Sequence, residues 1–270
     1  MGFILIKGTF KPGAGIPDGD SVRFMPSNIN FLKNLKGTEA KTGTSAKTNG
    51  TVQLRFEGID AIEKGAIKPL SVQAKENMFN LIGYNAKTNP EPKGYILSRM
   101  TDPHGRPVAF VFTGNNSKPD GSNIYLDAVM LSSSVNYKQM KAGYAFPLYY
   151  NTLFAELREK FNQALVQAKR SRKGYWAKDK TLLGVIVKGK PSLAIIDPVW
   201  PKLWRRLEEY LRNHTSMNGF ISWLDAKNER VVIINSTDET GLANIVKVQG
   251  NKVSLTQKPE NLMIITAIKS

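Results

Sequence analysis

The sequence predicts an α+β protein in two parts, a strand-rich unit over residues 1–180 and a smaller α+β unit over 181–270. Three observations carry that expectation. Five short runs rich in β-formers lie before residue 114, each bounded by Gly, Pro, Asn or Asp. Three helical patterns interrupt or follow them. Near residues 179–184 the pattern restarts, and 270 residues exceed the usual length of one domain.

The strand runs are 3–10, 21–24, 52–59, 95–100 and 107–113. Between the second and third lies 37–50, GTEAKTGTSAKTNG, which is polar and reads as a surface loop. The first helical stretch, 71–82, places apolar residues at Val72, Met78, Phe79 and Ile82. The second, 134–142, stops at Gly143, a residue suited to the left-handed position that closes a helix. The third, 152–172, repeats Phe154, Leu157, Phe161, Ala164, Leu165 and Ala168 at steps of three and four, and ends in basic residues that complement the helix dipole. In the second unit we expect a strand at 183–187, a helix over 200–212, and strands at 219–224, 230–234, 245–248 and 263–268. Trp200, Trp204, Arg205, Arg206 and Arg212 make that helix aromatic and basic, with its aromatic side buried.

The formal net charge is +16, from 38 Lys and Arg against 22 Asp and Glu. Residues 1–180 hold 26 of the basic and 14 of the acidic ones, so the excess sits mainly in the first unit. Such a balance favours a polyanionic partner, with phosphate backbones the commonest case. Absence of cysteine excludes disulfides, thiol catalysis and cysteine-liganded zinc. His104 and His214 are the only histidines, which leaves carboxylates for any metal chemistry and points to hard cations such as Ca²⁺ or Mg²⁺. No segment has the length or purity of a membrane span, and residues 1–10 read as a strand rather than a signal peptide, so the expected location is cytoplasmic.

Three segments carry chemistry together. The first is Asp18-Gly19-Asp20-Ser21-Val22, a turn feeding a strand. The second runs from Arg55 to Glu63, RFEGIDAIE, and the third from Asp102 to Arg106, DPHGR. Phosphodiester hydrolysis needs fixed cations where charge grows on the non-bridging oxygens, and the planar fork of Arg suits that task. It also uses a hard cation held by oxygens, and a carboxylate to take a proton from water. Asp20 and Asp60 supply the metal oxygens, Glu63 the base, Arg55 and Arg106 the phosphate contacts. The five-residue step from Arg55 to Asp60 changes face on a strand, so a bend must bring both groups to one site.

In order and in spacing these segments resemble the three active-site blocks of the staphylococcal nuclease family, D-G-D-(T/S)-V, R-x₄-D-x-P-E and D-x-x-G-R. The resemblance covers about residues 3–180 and includes Val135-Asn136, Gly143, Tyr149 and Gly174-Tyr175-Trp176. It implies a five-stranded OB-type barrel with three helices and a calcium-dependent nuclease acting on DNA or RNA. It further implies that Ca²⁺ is held by Asp20, Asp60 and the Ala61 carbonyl, that Glu63 is the base, that Arg55 and Arg106 bind phosphate, and that Tyr149 lies near the bound nucleotide. The chain departs from the family at Ile62, where a proline is usual, and at Pro103-His104, where a lysine or tyrosine is usual. The competing expectation is a non-catalytic module that grips single-stranded nucleic acid or a protein partner. Such members lose a carboxylate or an arginine, and none is missing here.

Overall fold

The computed structural model of the chain describes residues 2–266. It opens with β1 (Phe3–Phe10) and β2 (Arg23–Pro26), then three short strands, β3 (Val52–Gln53), β4 (Arg55–Phe56) and β5 (Ile59–Asp60). Next come α1 (Lys68–Ile82), β6 (Lys93–Thr101), β7 (Pro107–Thr113) and β8 (Asn123–Ile124), followed by α2 (Ala128–Leu131) and α3 (Val135–Lys141). β9 (Phe146–Pro147), β10 (Tyr149–Tyr150) and α4 (Ala155–Arg170) lead into β11 (Val185–Ile186), α5 (Pro201–Tyr210) and α6 (Phe220–Asp225). The chain then forms β12 (Arg230–Ile233), β13 (Asp238–Gly241), β14 (Val246–Gln249), β15 (Lys252–Leu255) and β16 (Leu262–Ile264).

The fold is α+β, built on a sheet that curls almost closed. Its strand order is β3-β2-β1-β6-β7-β4, with β8 added along β1. The two end strands, β3 and β4, are separated in sequence by Leu54 alone. The Leu54 N–H donates to the Val22 carbonyl and the Phe56 N–H to the Asp20 carbonyl, both at 3.0 Å, carrying pairing across the gap. Leu5, Phe24, Phe56, Ile96 and Phe110 are buried and share one core with Leu157, Phe161 and Leu165 of α4. Burying each such side chain contributes about 1.5–3 kcal/mol, and this apolar contact is what seats α4 on the sheet.

The run expected as one strand over 52–59 is broken into three. Gly58 takes φ +77°, and a Cβ there would lie 2.5 Å from the Phe161 ring, so neither conformation nor space admits a side chain. This turn is the bend required between Arg55 and Asp60. Asn136 holds the geometry: its Oδ1 accepts from the Val111 N–H at 2.9 Å, and its Nδ2 donates to the Glu57 and Ala109 carbonyls at 3.0 Å. The buried amide is thus satisfied, and it ties the Arg55 strand to β7.

Two expectations need correction. Residues 219–224 form helix α6 instead of a strand, because Phe220 and Leu224, four apart, are the buried positions and Gly219 enters in the left-handed conformation. In α1, which begins three residues earlier than expected, the buried face is Ala74, Met78 and Ile82, and Val72 is exposed. The strand expected at 263–268 is found as β16, and its last two positions lie outside the described residues.

The boundary expected near residue 180 is crossed by a four-stranded sheet, β10-β16-β12-β13. β16 runs parallel to β10, with Tyr149 opposite Met263 and Tyr150 opposite Ile264. The Trp200 indole N–H donates to the Pro147 carbonyl at 2.9 Å, and Lys169 pairs with Glu260 at 2.6 Å. Trp200 and Trp204 are buried, as the aromatic side of that helix requires. Among the described residues, no helix is long and apolar enough to cross a membrane.

Candidate active site

The Asp18–Asp20 turn is pinned from below. The Gln139 side-chain amide donates through Nε2 to the Gly19 carbonyl at 2.9 Å and to the Ala74 carbonyl at 2.7 Å, while its Oε1 accepts from Asn77 at 2.5 Å. A Cβ on Gly19 would stand 2.7 Å from that of Ala61 and 2.8 Å from that of Ala74. Glycine therefore lets the turn close down onto residue 61, and Asp20 arrives beside the Asp60 segment.

There, five side chains form a continuous chain of charge. Arg55 donates from Nη1 to Asp20 Oδ2 at 3.0 Å and from Nη2 to Asp60 Oδ1 at 3.2 Å. Arg205, from α5, donates from Nη1 to Asp60 Oδ1 at 2.8 Å and from Nη2 to Asp60 Oδ2 at 2.9 Å. The same Nη1 reaches Glu63 Oε1 at 2.6 Å. The order is Asp20, Arg55, Asp60, Arg205, Glu63. Asp20 and Asp60 are buried, and the Arg55 side chain is 14% exposed.

Environment separates the carboxyls. Burial holds Asp20 well above the usual carboxylate range; Arg55 opposes this, and the Asp18 and Asp60 charges add to it. Asp60 is equally buried, yet Arg205 and Arg55 together outweigh burial and hold it below its ordinary value. Glu63 is raised, chiefly by burial, against the pull of Arg205. Two residues from Arg55, the buried Glu57 carboxyl is pushed up to about 7 by burial, with Arg99 and Arg55 only partly offsetting it. Its Oε1 has no hydrogen-bond partner.

This network borders a cleft of about 770 Å³, whose walls include Asp20, Arg55, Glu63, Arg106, Tyr150 and Arg205. Arg106 lines the same cleft. Its Nε donates to Asp102 Oδ2 at 2.7 Å, with Nη2 2.7 Å from the same oxygen as an ion pair, and Asp102 Oδ1 caps the turn by accepting from the His104 and Arg106 N–H groups at 2.9 Å. The exposed His104 lines the cleft as a turn residue, as do Gly37 and Thr38 at the start of the polar loop. That loop rests on the turn, with the Lys41 N–H donating to the Gly105 carbonyl at 2.9 Å. Ile62, where the nuclease pattern that the segment resembles has proline, donates its N–H to the Tyr175 hydroxyl at 3.3 Å, a bond proline cannot make.

Of the sequence-derived site residues, the structure brings Asp20, Arg55, Asp60, Ala61 and Glu63 together and sets Arg106 in the wall of the same cleft. Tyr149 is the exception. It is fully buried, and its hydroxyl donates to Asn162 at 2.7 Å, so it does not face the cleft. Adjacent residues on a strand point to opposite sides, and Tyr150 is the tyrosine that lines it. The sequence reading also missed Arg205 and Glu57. Arg205 was visible only as one of several basic residues on an amphipathic helix; Glu57 shares the two-residue strand period of Arg55 and was legible in principle.

The donor set suits a hard divalent cation in kind and in charge. Asp20, Asp60 and Glu63 are bonded to two guanidinium groups, Arg55 and Arg205, so three carboxyls share two cationic partners, and oxygen donors of this kind are those a hard cation takes. Its arrangement, however, is organised around arginine. Among the described residues, no group of three or more His, Asp or Glu side chains is spaced to hold a metal ion. A divalent ion would compete with Arg205 for the oxygens of Asp60.

The chain matches no family model and no curated protein.

Proposed function

We propose that the chain is a phosphodiesterase that cuts nucleic acid, working as the staphylococcal nuclease family does, with the nearly closed sheet acting as an OB-type barrel. The observation that carries this reading is that Asp20, Arg55, Glu63 and Arg106 line one cleft, with the buried Asp60 bonded to Arg55 behind it. The blocks come from distant stretches of sequence, and a purely structural ion pair would need only two of these groups. The net charge of +16 supports a polyanionic substrate, DNA or RNA in single-stranded or locally open form.

Each residue has work that follows from its surroundings. Arg55 uses one N–H from each terminal nitrogen on the aspartates, leaving donors for a phosphate oxygen. Arg106, half-exposed and oriented by Asp102, binds the same phosphate from the cleft wall. Together they stabilise the charge that grows on the non-bridging oxygens. Glu63, raised by burial, takes the proton from the attacking water. Asp20, Asp60 and the Ala61 carbonyl would hold Ca²⁺, which supplies Lewis-acid stabilisation when bound.

One observation favours a second reading, a non-catalytic module for single-stranded nucleic acid or a protein partner: Arg205 engages both Asp60 and Glu63. Labelled single-stranded DNA and RNA, incubated with Ca²⁺, with Mg²⁺ and with a chelator, separate the two. Metal-dependent cutting supports the enzyme; salt-sensitive binding without cutting under any condition supports the module.

A further inference from the structure

Helix α5 carries three cations toward the cleft, and they are not equivalent. Lys202 and Arg206 are neutralised within their own segment by Glu229, Lys202 at 2.7 Å and Arg206 through Nε at 2.6 Å and Nη2 at 2.7 Å. These partners hold Glu229 down to about 2, although burial opposes them. Arg206 also pairs with Glu209 at 3.0 Å. Arg205 alone of the three turns to the sheet, where its partners are the carboxylates that the resemblance assigns to metal and base.

The helix has little freedom to place Arg205 elsewhere. The Trp200 indole is fixed to Pro147, the Trp200 N–H donates to the Thr181 hydroxyl at 2.9 Å, and the Trp204 indole donates to the Leu193 carbonyl at 3.1 Å. The Trp204 ring comes 3.1 Å from where a Cβ on Gly65 would be, so the helix is pressed against the segment just past Glu63. What can move is the Arg205 side chain, which is 30% exposed at the cleft wall.

We propose that Arg205 is an internal cation that occupies the Asp60–Glu63 position and is exchanged for a divalent ion, so that the C-terminal segment sets the metal affinity of the site. The inference rests on the reading that these carboxylates take a divalent cation. Its physical basis is simple competition. Both oxygens of Asp60 are already bonded to Arg205, and one of them to Arg55 as well. A metal binding these oxygens competes with two charge-assisted bonds. Once displaced, the guanidinium stays at the wall of the cleft, where an anionic substrate can accept it; substrate and metal would then favour each other's binding.

The test is direct titration of the full chain with Ca²⁺ by calorimetry, comparing the natural protein with Arg205→Gln and Arg206→Gln. Both substitutions remove one positive charge from the same helix, but only the first removes the Arg205 bonds to Asp60 and leaves it with Arg55 alone. Arg205→Gln should bind Ca²⁺ at least tenfold more tightly, and Arg206→Gln should stay within about threefold of the natural protein. If Arg205→Gln does not fold, Arg205→Lys decides, because a single ammonium cannot grip both Asp60 oxygens in the manner of the fork; it should bind Ca²⁺ more tightly than the natural protein. Equal affinities would overturn the exchange and leave the metal reading standing. No Ca²⁺ binding by any of the proteins would remove the divalent-cation reading itself, and the exchange with it.

Discussion

Arg205 and Asp60, 145 positions apart in sequence, are joined by two hydrogen bonds of 2.8 and 2.9 Å, one to each carboxylate oxygen. The contact makes the C-terminal segment part of the candidate site. It also means that the site's electrostatics cannot be understood from residues 1–180 alone.

Arg106 tests the phosphate assignment most cleanly. It is half-exposed and its principal partner, Asp102, sits in a turn at the surface of the cleft. Arg106→Ala should leave the melting temperature within a few degrees of the natural protein and lower kcat on the order of a hundredfold. Unchanged turnover would take Arg106 out of the site.

Arg55 has two roles, and its removal should show both. Arg55→Ala leaves Asp20 without its partner and Asp60 with Arg205 alone, both aspartates being buried. The expected loss is about 3–5 kcal/mol of stability in urea unfolding, together with the loss of activity. A variant as stable as the natural protein would show that the pairs are not what holds the two aspartates in place.

Glu57 gives the fold a pH dependence of definite sign. Its carboxyl lies near about 7 when folded against 4.5 as an ordinary glutamate, so the folded state holds the proton more tightly. That contribution is fully present below about pH 4.5 and is lost as pH rises through about 7. The difference corresponds to ~3 kcal/mol. Urea unfolding at pH 5 and pH 8 should show a drop of that order in the natural protein, and Glu57→Gln should show a smaller one. Equal drops in both would assign the effect to other groups.

Truncation after Asp179 removes β16 from beside Tyr149 and Tyr150, the Trp200 bond to Pro147, and Arg205 from Asp60 and Glu63. The fragment should melt well below the full chain and expose apolar surface to a hydrophobic dye. A fragment melting at the same temperature would establish residues 1–180 as an independent unit.

What the sequence made legible was local. Residues 3–10 and 107–113 are long enough, and cleanly enough bounded, for their β-formers to decide, and the structure has the same bounds. The Gly143 helix stop follows equally from one residue's freedom: it sits at φ +81°. The convergence of Asp20, Arg55, Asp60 and Glu63 was expected from the resemblance of the three blocks and not from spacing alone, and the device that achieves it was not legible. It depends on Gly58 giving way to Phe161 and on Gly19 giving way to Ala61, which are packing facts. Residues 219–224 misled because a short apolar run reads alike as strand or helix, and burial of Phe220 and Leu224 decided it. Tyr149 and Tyr150 show the same limit at single-residue scale: adjacent identical residues, with only the pairing to β16 and the Asn162 bond to tell which faces inward. Arg205 lay beyond sequence reading altogether, since nothing local links α5 to Asp60.

The measurement that bears most directly on the central claim is cleavage of a labelled single-stranded oligonucleotide by the natural protein and by Glu63→Gln, at equal concentration and in the same Ca²⁺ buffer. Cutting by the natural protein that falls at least a hundredfold in the variant, with binding of the oligonucleotide retained, is the result expected if Glu63 takes the proton from water in this cleft. Equal cutting by both, or binding without cutting by either, would contradict it.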